Sequence, residues 1–299
     1  CEERTIPGFV DELRKQFSAD LLTHIKSVLE RAFDSAVSDG TTKKVVLEKS
    51  DKELPEAAFE NGVTYLRSPW SVHHLLFESL PVNYVFDAIE NSALPAEKKA
   101  GLIRSFFTCA NNTAFVYLLL TVLKYDVQVA LGSGPVFAVV PRGDSHLFID
   151  LYTGIIKALR LEDFYHQEGE YLVLNRLLPP FDYMRLQESM MAGERGIDTL
   201  DDQSLLQLFY SSMYLTAADG LVAVMYKKAA KTFDRLDNKE AAIALYHKAI
   251  ELEPDYAVAY MGAAFYYLET GDPQKALRYF SVARDLNPRE FGVYLGLGM

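Results

Sequence analysis

Tyr226-Lys227-Lys228-Ala229-Ala230-Lys231-Thr232-Phe233 and Tyr260-Met261-Gly262-Ala263-Ala264-Phe265-Tyr266-Tyr267 are one phrase written twice. The tyrosine, the alanine pair and the closing aromatic recur 34 residues later, and so do Ala242 as Ala276, Tyr246 as Phe280, Ala249 as Ala283 and Pro254 as Pro288. The pattern has a mechanical reading. Small residues let two helices of a hairpin approach closely, aromatics fill the gaps, and a proline breaks the chain between units. Ala229, Ala230, Ala263 and Ala264 are therefore expected to be buried.

These matched positions resemble the tetratricopeptide (TPR) repeat, with units at about 223–256 and 257–290 and a third begun at 291 by Tyr294, Leu297 and Gly298. Such hairpins need neighbours to bury their faces. Leu200 to Ala217 is expected to be a helix supplying one wall. In the second unit Val258, Met261, Phe265 and Leu268 fall where the resemblance puts the inner groove, an apolar lining suited to an amphipathic helix or apolar peptide. The alternative is a groove filled by the protein's own residues. Tyr294, Leu295 and Leu297 lie on a helix without a hairpin partner, so an exposed apolar patch is expected there, covered by a partner, a second copy or further chain. Protein partners are thus assigned to Val258, Met261, Phe265, Leu268, Tyr294 and Leu297.

Upstream the period changes from helix to strand. Asp126–Leu131, Pro135–Val140 and His146–Leu151 read as strands, separated by Gly132-Ser133-Gly134 and by the turn Pro141-Arg142-Gly143-Asp144-Ser145. The second and third strands form an antiparallel hairpin, and Tyr171–Leu174 is a candidate fourth. Pro179-Pro180 closes this region. Before it, residues 95–123 read as one or two helices ending in the apolar run Ala114–Leu123, about half a membrane span. Val82–Ser92 and Ser71–Leu80 read as shorter helices, the latter opened by Trp70 and stopped by Pro81. Residues 9–36 carry apolar residues at near-helical spacing, ended by Ser38-Asp39-Gly40.

Cys109 begins the apolar helix, a position that favours a thiolate. A cysteine at a helix start, then a hairpin, then Phe148-Ile149-Asp150-Leu151-Tyr152-Thr153-Gly154, then repeat helices, resembles the transglutaminase-like family with a TPR tail, over roughly residues 95–290. The resemblance implies a catalytic set of Cys109, a histidine just before Phe137, and Asp150. That histidine position holds Val136, which cannot accept a proton. With the hairpin turning around Gly143, Val136 is expected opposite Asp150, at about 4.5–5.5 Å. His146 is the other candidate base, yet four residues along one strand separate it from Asp150 by roughly 13 Å. A Cys109–His146 dyad oriented by another group stays open, beside the plainer readings of Cys109 as a small buried apolar residue and Asp150 as a turn acid.

The 299 residues are 49% hydrophobic and 24% charged, with a net charge of -11 and Lys and Arg only in short clusters. A phosphate-tracking surface is not expected, so nucleic acid is set aside. Two cysteines, Cys1 and Cys109, give no disulfide framework and fit a reducing compartment such as cytosol or organelle stroma. Cys1 also admits three readings: a truncated chain, a lipid-anchored terminus, or the product of transit-peptide removal. Adjacent His73 and His74 share no helix face, so no metal is expected, and no phosphate-binding glycine motif indicates a nucleotide or other cofactor. The expected organisation is α+β: a helical region at 1–94, a transglutaminase-like core with a small antiparallel sheet at 95–188, and a helical TPR-like domain at 198–299. The expected function is a non-catalytic interaction or assembly protein, the alternative a cysteine hydrolase or transferase using Cys109. A subunit of a membrane-bound complex shares the same signature.

Overall fold

The computed structural model describes residues 6–15, 17–40, 46–49, 55–58, 81–106, 109–132, 136–150, 155–175, 212–216 and 219–298. The expected helix at 71–80, Trp70, His73, His74, Cys1, Pro179-Pro180 and the stretch 200–211 lie outside them. The chain divides into two discontinuous units rather than consecutive segments. The first is Cys1–Glu12, Phe77–Asn111 and Asp219–Met299, and the second Leu13–Leu76 and Asn112–Ala218. The fold is α+β.

In the second unit, the N-terminal apolar pattern yields α1 (Ile6–Arg14), begun in the first unit, and α2 (Ala19–Asp39). Ser18 separates them by accepting a hydrogen bond from Leu21 N as the N-cap of α2, and Gly40 ends α2 at φ 78°. Residues 43–68, which carry no clear period, hold a two-stranded antiparallel ribbon of β1 (Val46–Lys49) and β2 (Pro55–Ala58).

The main sheet has seven strands: β3 (Gln128–Gly132), β4 (Phe137–Arg142), β5 (Ser145–Asp150), β6 (Ile155–Leu159), β7 (Tyr165–Glu168), β8 (Tyr171–Leu174) and β9 (Ser212–Thr216). Their order is β6-β5-β4-β3-β9-β8-β7, and every pairing is antiparallel. The two edge strands, β6 and β7, are joined only by the one-turn helix α6 (Leu161–Phe164). The six residue steps from Leu159 to Tyr165 reach at most about 20 Å. A flat sheet would hold its edges about 29 Å apart at six strand spacings. The sheet therefore curls. Its concave face encloses Phe137, Val139, Phe148, Leu159, Tyr165 and Met213. Leu147, Ile149 and Ile156, alternating with that set, are buried too, and β5 and β6 lie against α2.

Two findings differ from the sequence expectation. The helix expected over 200–217 is, in its described part, strand β9. Met213, Tyr214, Leu215 and Thr216 suit a strand, and β9 sits between β3 and β8, so ladder pairing from both sides fixes its conformation. The hairpin register is also off by one. Arg142 pairs with Ser145 and Ala138 with Ile149, so the residue facing Asp150 in that register is Phe137, not Val136. The cause is the two-residue loop Gly143-Asp144. Gly143 has φ 59° and Asp144 is not among the positive-φ residues, as in a type II′ turn. Gly169, φ 62°, opens the same kind of loop between Glu168 and its partner Tyr171.

The first unit is helical. It contains α3 (Pro81–Glu90), α4 (Ala96–Phe106), α7 (Asp219–Arg235), α8 (Lys239–Leu252), α9 (Ala257–Glu269), α10 (Pro273–Leu286) and α11 (Phe291–Gly298). Helices α7–α8 and α9–α10 form the two expected hairpins, and Ala229, Ala230, Ala263 and Ala264 are fully buried. Helices α3 and α4 pack against α7, a wall the sequence did not announce; of the stretch 200–217 assigned to that role, the described residues form β9. An array this short needs a neighbour, and it takes one from more than a hundred residues upstream.

Candidate functional site

The repeat shows its physics most clearly at equivalent positions. Two residues past the end of α7 stands Asp237, φ 60°, and two past the end of α9 stands Gly271, φ 83°, both left-handed. In each case the following amide reaches back five residues: Asn238 N to Phe233 O at 2.9 Å, Asp272 N to Tyr267 O at 2.8 Å. Asn238 and Asp272 then cap the next helices, accepting from Ala241 N and Lys275 N. That second bond is the main reason the Asp272 carboxyl lies below its ordinary pKa. Between hairpins, the Tyr246 ring lies so close to Gly262 that an added Cβ would come within 2.2 Å of it. Gly296 and the Phe280 ring repeat the arrangement at 2.1 Å. Lys239 ties the array together, bonding Asp234 at 2.6 Å and Glu269 at 2.7 Å.

Of the assigned groove residues, Met261, Phe265 and Leu268 pack on the tail's own core of Ala264, Phe280 and Val293, together with Leu297 from α11. The Phe265 and Phe280 rings meet edge to face at 5.0 Å, and Met261 Sδ lies 2.6 Å from where a Cβ on Gly292 would be. Helix α11 thus takes up much of that apolar lining. Val258 is half-buried. Exposed apolar side chains lie on α11, where Tyr294 is 48% exposed, Leu295 49% and Phe291 72%, and also on α10, at Leu277, Val282 and Leu286. Phe291 lies outside the assigned set. Its signal was available: Phe291-Gly292-Val293-Tyr294-Leu295-Gly296-Leu297-Gly298 contains no charged or amide side chain.

Cys109 is the first residue of α5 (Cys109–Val122) and falls in the first unit; His146 and Asp150 fall in the second. From Ala114 to Leu120 every side chain of α5 is buried, so the apolar run is a core helix with no wet face. Its C-terminal carbonyls are satisfied by cations: Arg14 Nε donates to Val122 O at 2.8 Å, and Lys26 Nζ to Leu123 O at 3.2 Å. Thr113 Oγ1 donates to Val136 O at 2.6 Å, anchoring the chain just before β4. Asn111, also buried, donates to Phe106 O at 2.7 Å.

His146 pairs with Pro141 and Leu159, and Asp150 with Ile155 at the far end of β5. The strand separates the two as expected. Burial holds the His146 imidazole below its ordinary pKa, opposed by the charge of Glu162, and Nδ1 has no partner among the described residues. Burial thus favours the neutral ring, and Asp150 lies four residues along the same strand.

Among the described residues, no group of three His, Cys, Asp or Glu could hold a metal ion. No described helix is long and apolar enough to cross a membrane. The tetratricopeptide repeat family matches residues 237–297, covering α8 to α11. No curated protein matches the chain.

Proposed function

We propose that this protein is a non-catalytic assembly factor that holds a protein partner through its repeat tail. In this reading the α+β unit is a transglutaminase-like domain with an incomplete catalytic set. The observation carrying the first half is α11: an uncharged helix inside the repeat-matched segment, apolar on every face, with Phe291, Tyr294 and Leu295 open to solvent. Contiguous exposed apolar surface of this kind marks an interaction site. Val258, half-buried on α9, and the partly buried Met261, Phe265, Leu268 and Leu297 are assigned to its margin.

The second half is supported by a buried helix starting at Cys109 followed by antiparallel strands, with valine at 136 and no imidazole on the strand ladder facing Asp150. Cys109, His146 and Asp150 are then vestigial. A photo-crosslinking residue at Tyr294 should trap a protein partner, and the purified pair should reassociate unless Tyr294 is changed to Asp. No crosslink from position 294 or 258 would sink the binding reading. Alkylation of Cys109 should be slow below pH 8. Rapid labelling at pH 6 would instead favour a working cysteine hydrolase or transferase.

A further inference from the structure

Equivalent positions of the two repeat units carry different chemistry. In the second unit they are Val258, Met261, Phe265 and Leu268; 34 residues earlier they are Val224, Lys227, Lys231 and Asp234. Asp234 is engaged by Lys239 at 2.6 Å. Lys227 and Lys231 have neither an ion pair nor a hydrogen-bond partner for their amines among the described residues. Elsewhere in the tail lysines are paired with carboxylates: Lys239 also with Glu269, Lys248 with Glu251 and Lys275 with Asp272.

The two lysines stand four residues apart on α7 and are neighbours on one helix face. Lys231 is exposed and Lys227 half-buried. Lys227 is thus partly withdrawn from water, next to a like charge, with no carboxylate against it. Desolvation, and after it the charge of Lys231, hold its pKa below that of an ordinary lysine. At Lys239 hydrogen bonds to Asp234 and Glu269 push the other way. A lysine amine must be neutral to act as a nucleophile, and desolvation beside a second cation is the arrangement that favours the neutral amine.

We propose that Lys227 is an acyl-acceptor site, its half-buried and unpaired amine beside Lys231 taking the acyl group of a small thioester. The Nζ lone pair forms the C–N bond to the carbonyl carbon, the C–S bond breaks, and the proton lost by nitrogen leaves on the thiol. No oxidant or reductant is required. The product is an uncharged amide at 227, where the second unit has uncharged Met261. Acylation would therefore remove one of the two charges that set the first unit's positions apart from the second's. The inference does not depend on the partner-binding reading.

The full chain is treated at about pH 7.5 with the small thioester S-acetyl-N-acetylcysteamine, then unfolded and acetylated to completion with a deuterated reagent. Mass spectrometry then reads the rate at each lysine from one isotope ratio. Lys227 should acetylate at least about threefold faster than Lys231, although Lys231 is the more exposed, and the advantage should vanish in urea. Lys231→Gln, on an exposed position, should slow Lys227 at least about twofold and leave the thermal unfolding midpoint in place. Lys227 reacting no faster than Lys231, keeping its advantage in urea, or ignoring Lys231→Gln would each overturn the proposal. None of these outcomes bears on the crosslink from position 294, so the two readings fail separately.

Discussion

Gly262 offers a test in which two known effects oppose each other. In the interior of a helix, Gly→Ala ordinarily stabilises by about 1 kcal/mol, because alanine has less backbone entropy to lose. At Gly262 the new Cβ would lie 2.2, 2.5 and 2.7 Å from three carbons of the Tyr246 ring. Carbon contacts sit near 3.5–4.0 Å, so the ring must retreat by more than about 1 Å. That ring is buried, recurs as Phe280 in the second repeat unit, and is packed between hairpins. Overpacking of this kind costs about 1–3 kcal/mol. The clash therefore exceeds the propensity gain, and Gly262→Ala should destabilise by roughly 1 kcal/mol net. Urea unfolding should show a lower midpoint with an unchanged slope. The decisive arm is the double variant. In a Tyr246→Leu background the ring is gone, so Gly262→Ala should turn neutral or stabilising, giving a coupling energy of about 1–2 kcal/mol. If Gly262→Ala stabilises the otherwise unaltered chain, the close-approach account of the repeat is wrong.

Other expectations follow from the same contacts. Asp237→Gly should stabilise by about 0.5 kcal/mol, since Asp237 holds the left-handed cap that glycine holds at 271, and thermal unfolding of the variant checks it. Ala264→Leu should overpack the second hairpin by roughly 1–3 kcal/mol, and a neutral effect would count against the repeat assignment. Burial holds folded His146 below its unfolded pKa. Its neutral form therefore stabilises the fold above about pH 6.5, and that contribution is lost as pH falls toward the folded value. An NMR titration should find its midpoint under 6.5, and a higher one refutes the argument. Burial alone would raise the Glu30 carboxyl, but hydrogen bonds from Tyr125 and Arg142 outweigh it and hold the group below its ordinary value. The associated stability is present above about pH 4.5 and is lost as pH falls through the folded value. Arg142→Ala should flatten that acid limb in a stability–pH profile.

The repeat tail was legible because its information is local and periodic. The alanines, aromatics and prolines recur at one spacing, and each hairpin buries mainly what lies near it in sequence. The hairpin of β4 and β5 was legible for the same reason, and the buried helix announced itself as an unbroken apolar run. Distant pairing was not legible. Strand β9 carries a short apolar run that reads equally as helix, and only the ladders to β3 and β8 decide it. The pairing of Ala138 with Ile149 depends on whether the loop holds two residues or three, which Gly143 settles through its positive φ rather than through any pattern of hydrophobicity. The wall of the repeat array came from α3 and α4, whose own spacing says only that one side of each is apolar. Sequence by itself determined which faces must be buried; tertiary structure decided what buries them, because hydrophobic burial is non-directional and the choice among distant partners rests on packing and hydrogen-bond satisfaction that no local window contains.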